Sequence, residues 1–250
     1  MWVWDEFNAD AVIELAASRR IARLFVAVPL DLATSPKRGP IERLVELARS
    51  AGIDVDALGG DPGWIDQPQW TLDHWLGPVV ATGLFDAVHV DVEPHGHPSW
   101  ETDRLAVIER FLALLSTFAA TCGPSLALEA DIAHWFDQVA TPSGTLDRDV
   151  MARVDAVTIL AYRNTADGDD GTIALARTEV IRAAHLGRTS RIGQETNPLG
   201  SDPQSRKQTF HGWSLAAMDR QLAAVEAAFD DIGTMAGVAI HDATGYAAIT

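Results

Sequence analysis

A single cysteine, Cys122, stands in 250 residues, so no internal disulfide can staple the chain. Basic residues are few: 19 Lys and Arg against 35 Asp and Glu, a formal net charge of −16. A field of that sign repels phosphate, which makes nucleic acid and anionic membranes poor partners. Long apolar runs are missing. The longest uncharged stretch, between Arg110 and Glu129, is broken by Ser116, Thr117, Thr121, Gly123 and Pro124, and reads as a helix end, a turn and a strand. The chain opens Met1-Trp2-Val3-Trp4-Asp5 without a basic and then apolar leader pattern, which predicts a cytoplasmic protein. No Gly-x-Gly-x-x-Gly turn follows the first apolar run, no P-loop spacing surrounds Gly59 to Gly63, and no Gly-x-Ser-x-Gly elbow occurs. Dinucleotide, phosphate-cradling and serine-nucleophile readings therefore lose their support, and no cofactor is expected.

What is present is a rhythm of short apolar runs, polar or Gly/Pro turns, and helix-like stretches. A length of 250 suits either one (β/α)₈ barrel or two smaller domains. Eight runs can be counted: Trp2 to Trp4, Arg23 to Val28, Ile53 to Leu58, Ala87 to Val92, Ser125 to Leu128, Ala156 to Ala161, Arg191 to Glu195 and Gly237 to Ile240. Amphipathic stretches lie between them. Thr102 to Thr121, for example, places Leu105, Ile108, Leu112, Leu115 and Phe118 three or four residues apart. Eight strands in alternation with none left over predict an α/β chain folded as a single (β/α)₈ TIM barrel over residues 1–250.

Active sites of such barrels lie at the C-terminal ends of the strands. Those ends carry Asp5, Asp61, Asp91, Glu93, Glu129, Asp131, Tyr162, Glu195 and His241. The fourth run is the most informative. Side chains alternate along a strand, so Val88, Val90 and Val92 share one face, and His89, Asp91 and Glu93 the other. With the valines under the outer helices, the polar trio points into the barrel, where burying two carboxylates is costly. Two acids two residues apart also push their pKa values apart, leaving one able to hold a proton at neutral pH.

Here a family resemblance enters. Asp86-x-x-x-x-Asp91-x-Glu93 resembles the Asp-Gly-x-Asp-x-Asp-x-Glu motif of chitinase-type (family 18) glycosidases, and Leu160-Ala161-Tyr162 resembles their Met-x-Tyr. The resemblance implies Glu93 as general acid, Asp91 steering a substrate N-acetyl group, and Tyr162 assisting that group. Ala87 stands for the motif's Gly, His89 for its middle Asp, and Arg163 follows Tyr162 where an acid is common. The strings Leu58-Gly59-Gly60-Asp61-Pro62-Gly63-Trp64, His89 to His95, Ala161-Tyr162-Arg163-Asn164, Gly193-Gln194-Glu195-Thr196-Asn197 and Ala239-Ile240-His241 are similar to a group of glycosidase-like bacterial barrel proteins. Glu195 also falls on strand 7, where many retaining glycosidases carry their nucleophile.

The catalytic candidates are thus Glu93, Asp91, Glu195 and Tyr162, acting on an oligosaccharide or small-molecule substrate. Trp4, Asp61, Trp64, His89, Glu129, Asp131, Arg163 and His241 are candidates for holding it. Each has a plainer reading. Trp4 and Trp64 stack on sugar rings or wedge between helices and loops. Glu129 and Asp131 bind hydroxyl groups or form a carboxylate pair, His241 is a contact or a packing residue, and Arg163 pins Glu93 or Asp91 or makes a surface pair. His95-Gly96-His97 looks like a metal pair but has no further ligand at helical or finger spacing. Two other functions stay open: a metal-dependent isomerase or lyase using Glu93, Glu129, Glu195 and His241, and a non-catalytic carbohydrate-binding barrel. The sequence is silent on oligomeric state.

Overall fold

A computed structural model describes residues 1–4 and 6–250. Its main sheet has eight strands in chain order: β1 (Trp2–Val3), β2 (Arg23–Ala27), β3 (Asp54–Gly59), β4 (Ala87–Val90), β5 (Ala127–Ala133), β6 (Ala156–Leu160), β7 (Thr189–Glu195) and β8 (Met235–His241). The registered pairs β2–β3, β3–β4, β4–β5, β6–β7 and β7–β8 are all parallel. Helices lie between successive strands, and the fold class is the (β/α)₈ barrel. The chain divides into two compact units, residues 1–2, 132–151 and 156–250 in one, and residues 3–131 and 152–155 in the other.

In the second unit the strands place apolar residues on one face. Leu24, Val26, Val55, Ala57, Val88 and Val90 are all buried. The 19-residue helix Arg104–Cys122 buries Ile108, Leu112, Leu115 and Phe118 of the spaced apolar set, together with Val107 and Phe111, whereas Leu105 of that set is 54% exposed. Cys122 ends it, and burial, with Asp155 nearby, pushes the thiol up to about 11. Acids just before strands bond the first amides of their neighbours. Asp86 Oδ2 accepts from Val55 N at 2.8 Å, and Asp155 Oδ2 accepts from Leu128 N at 3.0 Å. Asp86, the first residue of the strand-four motif, is therefore a structural cap at the end of β4 away from Glu93.

Residues 62–82 depart from the simple alternation. They form short turns and helices, with Trp75 buried and its Nε1 donating to Val28 O at 3.1 Å. Gly59 is required beneath that indole, because a Cβ there would lie 2.4 Å from Trp75 Cε2.

The other unit carries a hairpin, Ala140–Thr141 with Gly144–Thr145, ahead of the short helix Leu146–Met151. Ser214 caps the helix Leu215–Ala227, accepting from Ala217 N at 3.3 Å. The helix Thr172–His185 buries an acid, Glu179, at 0% exposure. Neither of its carboxyl oxygens has a hydrogen-bond partner among the described residues. Burial first, then the charges of Asp137 and Asp147, push its pKa up to about 9, against the opposing pull of Arg182, which is itself bonded to Asp147.

Candidate functional site

The strand-four face divides by depth. Val88, Val90 and Val92 are buried on one side. On the other, His89 is fully buried, Asp91 is partly exposed, and the Glu93 side chain is 43% exposed beyond the C-terminal end of β4. Asp91 N still donates to Gly59 O at 3.0 Å, so β3 supports the backbone up to that point. Gly60 makes this approach possible, since a Cβ there would lie 2.0 Å from Asp91 O.

Beneath Asp91 lies a network of buried charges. His89 Nε2 is 2.9 Å from Asp131 Oδ1, and its Nδ1 is 3.5 Å from Glu129 Oε2. Its ring stacks on Phe25 with centroids 3.9 Å apart. Arg23 donates to Asp56 Oδ1 at 2.6 Å and to Asp54 Oδ2 at 2.7 Å, and lies 3.9 Å from Glu129. Burial alone would strip the proton from His89; the charge of Asp131 and bonds to Asp131 and Glu129 outweigh it and raise the imidazole to about 10. Asp56 is lifted to about 6, by burial and then by the charge of Glu129.

Asp56, His89 and Glu129 offer ligand atoms within 4.8 Å of one another, a spacing that suits a metal ion. A metal there would compete with Arg23, which already pairs with Asp56, and with the proton that Asp131 and Glu129 favour on His89.

The network predicts a stability effect. His89→Leu leaves Asp131 buried without its cation and Glu129 with only the more distant Arg23, which should cost about 3–5 kcal/mol in urea unfolding. A loss below about 1 kcal/mol would contradict the ion-pair account.

The sequence reading placed Glu129 and Asp131 beyond the end of the fifth run. β5 instead continues to Ala133, and both acids lie within it at 4% and 3% exposure. Their charges are tolerated there because the cations on β2 and β4 face them. Arg23 and Asp56 were missed as network members; the Asp54-Val55-Asp56 alternation was the available signal.

Asp61 accepts from Gly63 N at 2.7 Å and caps a turn. Trp64 is 9% exposed and packs on Trp75 with centroids 4.8 Å apart, as a wedge would. Trp4 is partly exposed after β1. Asp5 lies outside the described residues. His95 and His97 face different acids: His95 Nε2 is 3.6 Å from Glu93 Oε1, whereas His97 Nε2 is 2.9 Å from Asp66 Oδ2.

In the other unit, Glu195 and His241 end neighbouring strands in register. Glu195 Oε2 is 2.8 Å from His241 Nδ1, and Oε1 accepts from Thr196 N, Asn197 N and Asn197 Nδ2 at 2.7, 2.7 and 3.1 Å. Asn197 Nδ2 also donates to Asp242 Oδ1 at 3.1 Å. Trp2 meets the His241 ring edge-on at 5.5 Å, and Tyr162 lies 6.3 Å from it. Gly193 leaves space for Tyr162, whose Cε1 would be 3.2 Å from a Cβ there. The carboxylate at Nδ1 orients the imidazole. Arg163 is spent elsewhere: its Nη2 donates to Asp170 Oδ1 at 2.8 Å, and Lys207 binds the other Asp170 oxygen at 2.5 Å.

Comparison with solved structures finds this fold repeatedly. A chitinase from Bacteroides thetaiotaomicron matches with a TM-score of 0.66 at 10% identity, over 98% of this chain and 88% of its own. The chain shares its fold with chitinases. The spore cortex-lytic enzyme SleL of Bacillus megaterium matches with a TM-score of 0.60 at 13% identity, over 98% of this chain and 71% of its own. D-psicose 3-epimerase from Clostridium cellulolyticum, solved with D-tagatose, matches with a TM-score of 0.52 at 12% identity, over 90% and 93%. No family model matches the chain, and no curated protein is similar to it by sequence.

Proposed function

We propose that the protein is a glycoside hydrolase in which Glu93 is the general acid. The observation that carries this reading is the graded strand-four face. His89 is immobilised in a buried ion-pair network, Asp91 stands above it, and Glu93 is accessible at the strand's C-terminal end. Glu93 protonates the leaving oxygen as the glycosidic bond breaks. Asp91 holds the proton on Glu93 by like-charge repulsion, and its negative charge favours the cationic transition state. His89, Glu129 and Asp131 support this face from below rather than contact the sugar. The chitinase and cortex-lytic fold neighbours favour a sugar substrate bearing N-acetyl groups.

Glu195 serves in this reading as a positioning residue. Both of its oxygens are engaged, and it aims His241 through Nδ1.

The test is a substrate panel of chitooligosaccharides and aryl N-acetylglucosaminides of both anomers, assayed after chelator treatment. Metal-independent release of sugar or phenol is the expected result. Turnover only with added metal would favour the isomerase or lyase class. Sugar binding by calorimetry without turnover would assign the protein to carbohydrate binding.

A further inference from the structure

We propose that His95 stores and returns the proton that Glu93 delivers, so that the two side chains act as one donor pair; the proposal rests on the glycosidase reading of Glu93. His95 Nε2 lies 3.6 Å from Glu93 Oε1, with the side chains 30% and 43% exposed. The turn Pro94–Gly96 creates this approach. Gly96 N donates to Glu93 O at 3.0 Å, which folds the second residue after Glu93 back towards it.

The surroundings hold that turn. Gly96 lies against Pro62, whose Cγ would be 3.0 Å from a Cβ there. His97 clasps the preceding loop through Asp66 and accepts from Ser99 N at 3.1 Å, while Arg110 Nε lies 3.1 Å from the other Asp66 oxygen. Trp100 meets the His95 ring edge-on at 6.5 Å. The remaining titratable groups on these segments are Asp91 beside Glu93 and Asp61 on the loop against Gly96. Asp66 is paired with Arg110 and accepts a hydrogen bond from His97, and that bond foremost keeps its carboxyl below the usual range.

A carboxylic acid that gives up its proton must regain it in every turnover. In the proposed pair the His95 ring is the reservoir that resupplies the proton, and the negative charge of Asp91 keeps it on Glu93 until the leaving oxygen takes it. In the proposed step the His95 Nε2–H bond breaks as a Glu93 O–H bond forms. Glu93 then loses its proton to the leaving oxygen while the glycosidic C–O bond breaks. Neutral His95 is reprotonated from solvent, with the attacking water supplying the balancing proton. His95 acts through Glu93 and is a positioning residue, not one that touches substrate.

The experiment compares the pH dependence of kcat/KM for wild type, His95→Asn and Glu93→Gln. His95→Asn should keep its activity near pH 5, while its alkaline limb moves down by at least about one unit, from the imidazole towards the carboxylate range. Glu93→Gln should be inactive throughout. An alkaline limb that stays in place or rises in His95→Asn, with Glu93→Gln inactive, overturns the relay and leaves the Glu93 assignment standing. Activity in Glu93→Gln, or none in wild type, overturns both. A second readout needs no turnover. In NMR titration the His95 ring should lose its proton about half a unit or more lower in Glu93→Gln than in wild type. An unmoved titration also overturns the pairing.

Discussion

Glu93→Gln is expected to lower kcat/KM for glycoside hydrolysis by about 10³-fold, equivalent to about 4 kcal/mol of transition-state stabilisation. Glutamine keeps the shape and can donate a hydrogen bond, but it cannot transfer a proton. The side chain is 43% exposed beyond the end of β4, so the fold should survive. Unfolding midpoints and circular dichroism of the variant should match wild type. A further signature separates acid catalysis from simple contact. An aryl glycoside with a strongly activated leaving group needs little protonation, so the deficit should shrink as leaving-group acidity rises. A deficit of equal size on all leaving groups would instead point to lost binding or geometry.

Glu179→Gln is expected to stabilise the protein, by an amount that grows with pH. The buried acid has a folded-state pKa raised from the ordinary 4.5 to about 9. The folded state therefore holds a proton that the unfolded chain has released between those values. Stability falls as pH rises through that window, by about 1.4 kcal/mol per unit for one proton. Near pH 7 the accumulated cost is on the order of 3 kcal/mol, which Gln removes because it carries no proton to lose. His89 has its own slope: its raised pKa contributes stability that is complete below the ordinary imidazole range and is lost as pH rises towards about 10. That slope persists in the variant, so the difference between the two unfolding curves isolates Glu179. Parallel pH profiles for wild type and variant would refute the buried neutral acid.

Much of the strand set was legible because alternation of apolar runs and turns is a local property. The second run and β2 differ by one residue at one end, and the fourth run ends two residues beyond β4. Residues 62–82 were not legible as helices. Their segments are only four to six residues long, and their hold comes from Trp75 reaching Val28 rather than from periodicity. The split of strand four into a valine face and a polar face was also readable, because period-two alternation needs no partner.

The charges were harder. Reading a strand to stop at its first acid failed at β5, where Glu129 and Asp131 lie inside the sheet. Their partners Arg23 and His89 come from strands 106 and 42 residues away in the chain (129 − 23 and 131 − 89). The acids on one rim were alike in sequence, yet they separate into a cap at Asp61, buried network members at Glu129 and Asp131, an oriented Glu195 and an accessible Glu93.

By itself the sequence determined the alternation, the strand ends and the faces, since these follow from residue order and the geometry of a single strand. Only the tertiary structure decided which carboxylates are neutralised and which are exposed. That outcome depends on burial and on cations brought within about 4 Å from neighbouring strands, distances that no spacing along the chain encodes.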